Sequence, residues 1–278
     1  MRARERPAAE RAARKRAEAR RRLLVPIAAV AAVLAIVVAL VAVKLTAAPA
    51  HPVASESPAS SVLVRHVSTV PGAVLTEVSS GQAAAGFTAL QAVKAPGSPL
   101  TIGGKLAIVF VSEESCPFCA AERWSLAVAL SRFGTWTGLG TTRSSATDVY
   151  PDTATLSFRT ARYLSPELTL RTTELADNAG RPLQPLTTLD NTLISTFDVP
   201  PYVDSADQSG AVPFLDIADR YILAGAQYNP QVLAGLSAAQ IASQLSQPAS
   251  PVARAIDGSA QVIVAAIDQV RHDQPARS

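Results

Sequence analysis

Lys105-Leu106-Ala107-Ile108-Val109-Phe110-Val111-Ser112-Glu113-Glu114-Ser115-Cys116-Pro117-Phe118-Cys119-Ala120-Ala121-Glu122-Arg123-Trp124-Ser125-Leu126 is the stretch that decides the fold. Its first eight residues are an almost unbroken apolar run, which reads as a strand covered on both faces. A helix is predicted from Cys116 to about Arg132. Trp124, Leu126, Ala127 and Leu130 fall near helical spacing, and Gly134 stops it. Between strand and helix stand Cys116 and Cys119, the only 2 cysteines of the 278 residues. A Cys-x-x-Cys that closes a strand and opens a helix is the arrangement of a thiol–disulfide redox site. The unpaired N–H groups and the dipole of the helix start stabilise a thiolate, the reactive form. Cys116, nearer the helix start and more exposed, is the expected attacking thiolate, and Cys119 the resolving thiol.

Two other uses of the pair have less to offer. A structural disulfide across so short a loop removes little chain entropy. A metal site needs more ligands, since two thiolates are half a tetrahedral zinc site. The three histidines, His51, His66 and His272, fall in a tether, near a domain edge and near the C-terminus. Neither a metal nor a cofactor is expected. Trp124 reads as helix packing. Arg123, one turn after Cys119, reads either as a thiolate partner or as a surface ion pair with Glu122 or Asp216. Glu113 and Glu114 place two carboxylates beside the motif, and their like charge opposes a low thiol pKa.

Charge is placed unevenly. Residues 1–22 hold ten Arg or Lys against three Glu, a net of +7, whereas the whole chain is +3, so the rest carries −4. The high pI thus belongs to the tail, and no aromatic residue is interleaved there, so nucleic acid is not an expected partner. Leu23 to Val43 is a run of 21 residues without a charge, about 30 Å of helix, enough to cross a bilayer core. Residues 23–45 are therefore read as a transmembrane helix in contact with lipid. The preceding Arg and Lys put the N-terminus in the cytoplasm and the rest outside it. The competing reading, a cleaved signal peptide ending near Ala48-Pro49-Ala50, meets an apolar run longer than a signal core and a proline in its cleavage site. Either reading exports the remainder, where conditions let the pair rest as a disulfide.

Residues 46–61, rich in Ala, Pro and Ser, read as a tether. Residues 62–278 form the extracytoplasmic domain. Val62-Leu63-Val64 and Ala73-Val74-Leu75 are short apolar runs that suit strands or loop anchors. Thr135 to Thr142 reads as a strand that completes a strand–helix–strand crossover with the redox helix. Strands are also expected at Thr153–Phe158 and Leu168–Leu175, and a helix across Leu186 to Phe197. A hairpin is expected across Phe214 to Ala224, a capped helix from Ser237, and a last helix over Ser259–Arg271.

Val212-Pro213 precedes a strand, a hairpin and a C-terminal helix. In that order of elements the chain resembles thioredoxin-like proteins. The resemblance implies a cis-proline at Pro213 facing the Cys-x-x-Cys, with the Val212 backbone open to a substrate segment. Pro213 thus joins Cys116 and Cys119 as a catalytic candidate. Val212, Pro117 and Phe118 are the candidates for substrate contact. The 93 residues between Cys119 and Pro213 exceed what such a fold needs, which places an insertion at about 143–210. Ser115-Cys116-Pro117-Phe118-Cys119-Ala120-Ala121-Glu122-Arg123-Trp124, Ala129-Leu130-Ser131-Arg132-Phe133-Gly134, Thr142-Arg143-Ser144-Ser145, Tyr150-Pro151-Asp152 and Thr155-Leu156-Ser157-Phe158 resemble the bacterial and archaeal family called domain of unknown function 929. That resemblance covers about Val62 to Arg271 and implies a thioredoxin-like fold and an exported location.

The expected fold is therefore α/β and thioredoxin-like, with an insertion between the redox-helix unit and the cis-proline strand and a single transmembrane helix before it. Two functions follow. One is an enzyme, a membrane-tethered oxidoreductase exchanging disulfides with the thiols and disulfides of exported proteins and reset by a membrane redox partner. The other is a non-catalytic binding module or scaffold of the cell envelope on the same fold.

Overall fold

The computed structural model describes residues 56–79, 87–204 and 208–273. The basic tail, the expected span at 23–45 and residues 46–55 of the expected tether lie outside them. Among the described residues no helix is long and apolar enough to cross a membrane.

The architecture is mixed α/β. Strand β1 (Ser57–Pro58) leads to helices α1 (Ser61–Ser68) and α2 (Gly72–Ser79). Strands β2 (Gln91–Ala92), β3 (Thr101–Ile102) and β4 (Lys105–Ser112) precede helix α3 (Pro117–Leu130). Four short strands follow, β5 (Thr135–Thr137), β6 (Gly140–Arg143), β7 (Ala154–Ser157) and β8 (Arg162–Leu164). Then come β9 (Leu168–Glu174), α4 (Thr188–Phe197), β10 (Phe214–Ile217), β11 (Tyr221–Ala224), α5 (Ala238–Gln244) and α6 (Pro251–His272).

Strand β4 is the axis of a six-stranded sheet. It pairs in parallel with β9, from Leu106 opposite Leu168 to Ser112 opposite Glu174. On its other edge it pairs antiparallel with β10, Val111 opposite Phe214 and Ile108 opposite Ile217. Strands β11 and β2 extend that side. Gly103 and Gly104, both at positive φ, make the two-residue turn that folds β3 back on the start of β4, a backbone geometry glycine adopts freely. The apolar run of β4 feeds two cores. Leu106, Ile108 and Phe110 enter the larger one with residues of α3 and α6. Val109 and Val111 enter a second with Leu193 and Phe197 of α4. Helices on both faces are what an unalternating strand requires.

Several expectations need correction. The apolar runs at 62–64 and 73–75 are helical. Ser60 caps α1 by accepting from the Leu63 N–H at 3.2 Å, and the buried Leu63 and Val67 sit one turn apart on one face. Thr135 to Thr142 is not one strand and does not join the sheet. Gly138, at φ 67°, breaks it, and a Cβ there would come within 2.8 Å of the Thr160 carbonyl. Its halves, β5 and β6, pair with β8 and with β1 and β7. The parallel return after α3 is β9. The final helix starts at Pro251, with Ser250 as its cap, eight residues before the expected start. Gly258 weakens the helical pattern, but Pro at the first helical position is a start signal. The stretch 143–210 holds β9 and α4, which belong to the central layers, together with β7 and β8 of the accessory sheets.

Candidate functional site: a paired-thiol helix start

The site forms where β4 ends. Extended backbone at Cys116 (φ −80°, ψ 122°) makes it the N-cap of α3, and Pro117 takes the first turn, where its missing N–H costs nothing. The Cys116 Sγ accepts from the Cys119 N–H at 3.2 Å. The sulfur thus does the work that a serine or aspartate oxygen does at other helix starts. Both cysteines are free thiols. Cys116 is half-buried, whereas Cys119 is fully enclosed and its Sγ accepts from the Glu113 N–H at 3.5 Å.

The segment before β10 comes across this helix start. The Val212–Pro213 peptide is cis, and the Cys116 thiol donates to the Val212 carbonyl at 3.7 Å. The Pro213 carbonyl accepts from the Gly225 N–H at 2.8 Å, which ties the segment to the end of β11. Cys116, Cys119, Val212 and Pro213, 96 residues apart at the thiol–carbonyl contact, therefore meet. Phe118 is 38% exposed, and its ring stands edge-on to Tyr150, centroids 5.7 Å apart. The loop carrying Tyr150 is pinned to the cysteine loop by the Ser145 N–H, which donates to the Ser115 carbonyl at 2.8 Å. Val149 beside it is exposed. Pro117 is buried in the first turn, so Phe118 is the member of that pair that faces out. Sequence reading missed Tyr150 as part of this surface, because the contact depends on a loop folding back.

Beneath the thiols lies a charge set that the sequence did not reveal. Arg123 is wholly buried, not at the surface, and its partner is neither Glu122 nor Asp216. It grips Glu174 at the end of β9 with two nitrogens, Nε to Oε1 at 3.1 Å and Nη2 to Oε2 at 2.6 Å. Nη2 also donates to Ser112 Oγ at 3.3 Å. Burial pulls the Arg123 pKa down, but Glu174, Cys119 and Glu114 outweigh it, and the net shift is upward. The guanidinium stays charged. The register Ser112 opposite Glu174 is the signal that would have found this pair, once the parallel pairing was known. Trp124 packs as expected, enclosed and with its Nε1 donating to the Ala154 carbonyl at 3.0 Å.

Glu113 and Glu114 differ in role. Glu113 accepts from Ser115 Oγ at 3.0 Å at the motif. Glu114 turns inward, accepts from Ser157 Oγ at 3.0 Å and lies 3.6 Å from Arg159. Burial raises its pKa. The Cys116 thiol is held below its ordinary value, first by its hydrogen bond with the Cys119 thiol, then by the backbone donors of Cys119 and Phe118 and by Arg123, against the opposing effect of burial. Burial, and then the partner thiol, push Cys119 well up. The first proton to leave the pair therefore leaves Cys116.

Among the described residues no group of three or more His, Cys, Asp or Glu side chains is placed to hold a metal. A cavity of about 330 Å³ opens at the far end of β4, by Lys105, Tyr163 and Leu170, away from the thiols. Comparison with curated proteins and with solved structures finds no match. The family model described as "Domain of unknown function (DUF929)" matches residues 91–269. That span takes in β4, both cysteines, Arg123, Glu174 and the Val212–Pro213 segment, and this chain belongs to that family.

Proposed function

We propose that this chain is a thiol–disulfide oxidoreductase of thioredoxin-like fold, tethered by residues 23–45 with its N-terminus in the cytoplasm, and acting outside the membrane on exported proteins. The observation that carries the reading is the inequality of the two sulfurs. Cys116 is reachable, caps a helix and is held low in pKa, while Cys119 is enclosed one turn away. A structural pair needs no such difference. The strand order β9, β4, β10, β11, with a helix between the parallel strands and a cis-proline entering β10, supports the thioredoxin-like assignment.

The exchange runs in two balanced steps. The Cys116 thiolate attacks one sulfur of a substrate disulfide. A Cys116–substrate disulfide forms, and the other substrate sulfur leaves as a thiolate. Cys119, losing its proton, then attacks Cys116 Sγ. The intramolecular disulfide forms and the second substrate sulfur leaves with its electron pair. The substrate gains two electrons and the protein dithiol loses two. A membrane redox partner reverses that change, and the same steps run backwards when the substrate starts as a dithiol. The Val212 carbonyl, beside Cys116, lies where an extended substrate backbone would pass.

Substituting Cys119→Ser in the full chain should accumulate mixed disulfides with exported proteins on non-reducing gels, and Cys116→Ser should not. Equal trapping by both variants, or by neither, would leave the scaffold reading in its place.

A further inference from the structure

We propose that Arg123 is a positioning residue for the thiol pair, and that Glu174 meters how much positive charge it presents to the two sulfurs. The proposal rests on the oxidoreductase reading for its purpose, though not for its test. It starts from a cost. A buried ion pair seldom stabilises a fold more than apolar side chains of the same size would, so an enclosed arginine beneath two reactive sulfurs calls for another use. Its placement supplies one. Arg123 lies one helical turn after Cys119 on α3, and its guanidinium reaches Ser112, the last residue of the strand that delivers the cysteine loop. Glu174 occupies Nε and Nη2, while Nη1 finds no acceptor among the described residues.

The charged and titratable groups facing Arg123 come from each neighbouring element. They are Glu174 from β9, Glu114 from the loop after β4, and Cys119 and Cys116 from the start of α3. Glu114 is in turn met by Ser157 and Arg159. Among the described residues Arg123 is the one enclosed cation acting on both sulfurs. It favours a thiolate in the reduced pair, and the Glu174 carboxylate offsets it.

The opposite signs of the two partners make the test. The chain has only two cysteines, so thiolate absorbance against pH and the rate of alkylation by iodoacetamide, measured on the reduced full chain, report this pair alone. Arg123→Met should raise the Cys116 titration midpoint and slow alkylation at neutral pH by roughly two- to threefold, the change that a third to a half of a pKa unit brings. Glu174→Gln should move both readouts the other way, because it removes the opposing charge and keeps the shape. Arg123→Lys should restore most of the wild-type profile. A merely structural pair predicts shifts of the same sign in both variants. Such same-sign shifts, or an unchanged midpoint in a folded variant, overturn the proposal. If Arg123→Met does not fold, Glu174→Gln decides alone, and a midpoint that stays or rises overturns it. Failure of Cys119→Ser to trap substrates would sink the oxidoreductase reading without touching this titration.

Discussion

Helix α3 meets buried polar groups at two places, and the two are electrostatic opposites. At its start, a helix N-terminus and the enclosed Arg123 favour negative charge on Cys116. Where α3 packs against α6, Glu122 of α3 and Asp257 of α6 are buried, with no cation beside them among the described residues. Among the described residues Glu122 accepts from the Gln227 backbone N–H at 3.1 Å and from the Gln227 side-chain amide at 3.2 Å. Neither oxygen of Asp257 has a partner among the described residues. Burial pushes Glu122 up to about 7 and Asp257 up to about 8. Tyr228, whose hydroxyl donates to the Ala121 carbonyl at 2.8 Å, is raised well above its ordinary range by burial and by these two acids. A thiol lowered in pKa and two carboxyls raised in pKa thus border the same helix. Burial acts on all three; at Cys116 the hydrogen bond with the Cys119 thiol, then the backbone donors of the helix start and Arg123, oppose it, whereas Glu122 has one backbone donor and Asp257 has none.

The largest effect expected from breaking this comparison is on stability. Arg123→Met strands Glu174 in the interior and should cost about 3–5 kcal/mol in urea unfolding. Asp257→Asn removes a carboxyl that has no partner to strand, so it should cost far less at any pH. Equal losses would mean that the two places do not differ as described.

The next effect is on pH dependence. A carboxyl whose folded pKa is raised holds its proton in the folded state while the unfolded chain releases it. Its contribution is therefore complete below the unfolded carboxylate range and is lost as pH rises toward the folded value. Glu122 and Asp257 should together make stability fall between about pH 4 and pH 8, by up to roughly 9 kcal/mol. The double variant Glu122→Gln with Asp257→Asn should remove their share of that slope. Asp216, raised by burial to about 8, and Asp198, raised by burial to about 6, keep the remainder together with Glu114 and Asp219, which burial also raises. Urea midpoints across this range check it, and an unchanged slope would remove these carboxyls from the account.

The smallest effect sharpens the thiol end. Phe118→Ala loses one edge-on ring contact with Tyr150, about 0.5–1.5 kcal/mol at most. It should leave iodoacetamide alkylation of Cys116 unchanged while slowing exchange with a protein disulfide several-fold. Slowing of both reactions alike would make Phe118 a support of the helix start rather than a substrate contact.

Much of the thiol site could be read from residues alone because its first interactions are local. A Cys116 sulfur capped by an N–H three residues on, Pro117 in the first turn and an apolar strand ahead of them are all properties of one short stretch. The hairpin of β10 and β11 and the capping box at Ser237 were legible for the same reason. The accessory strands were harder. A Gly-broken run such as Thr135 to Thr142 pairs with whatever edge the tertiary fold presents, and nothing in its own residues names that edge.

What the sequence determined by itself was the chemistry: two thiols unequal in their place on a helix start, at the end of a buried strand. What only the tertiary structure decided was their electrostatic setting. Glu174 lies 51 residues from Arg123, and Val212 lies 96 residues from Cys116. Those partners meet because β9 returns parallel to β4 and β10 antiparallel to it. Backbone capping acts over one turn and is written in neighbouring residues, whereas charge acts through whatever the fold packs within a few ångströms. The helix sets Arg123 one turn from Cys119, and strand pairing then brings Glu174 to an arginine that sequence reading could leave at the surface.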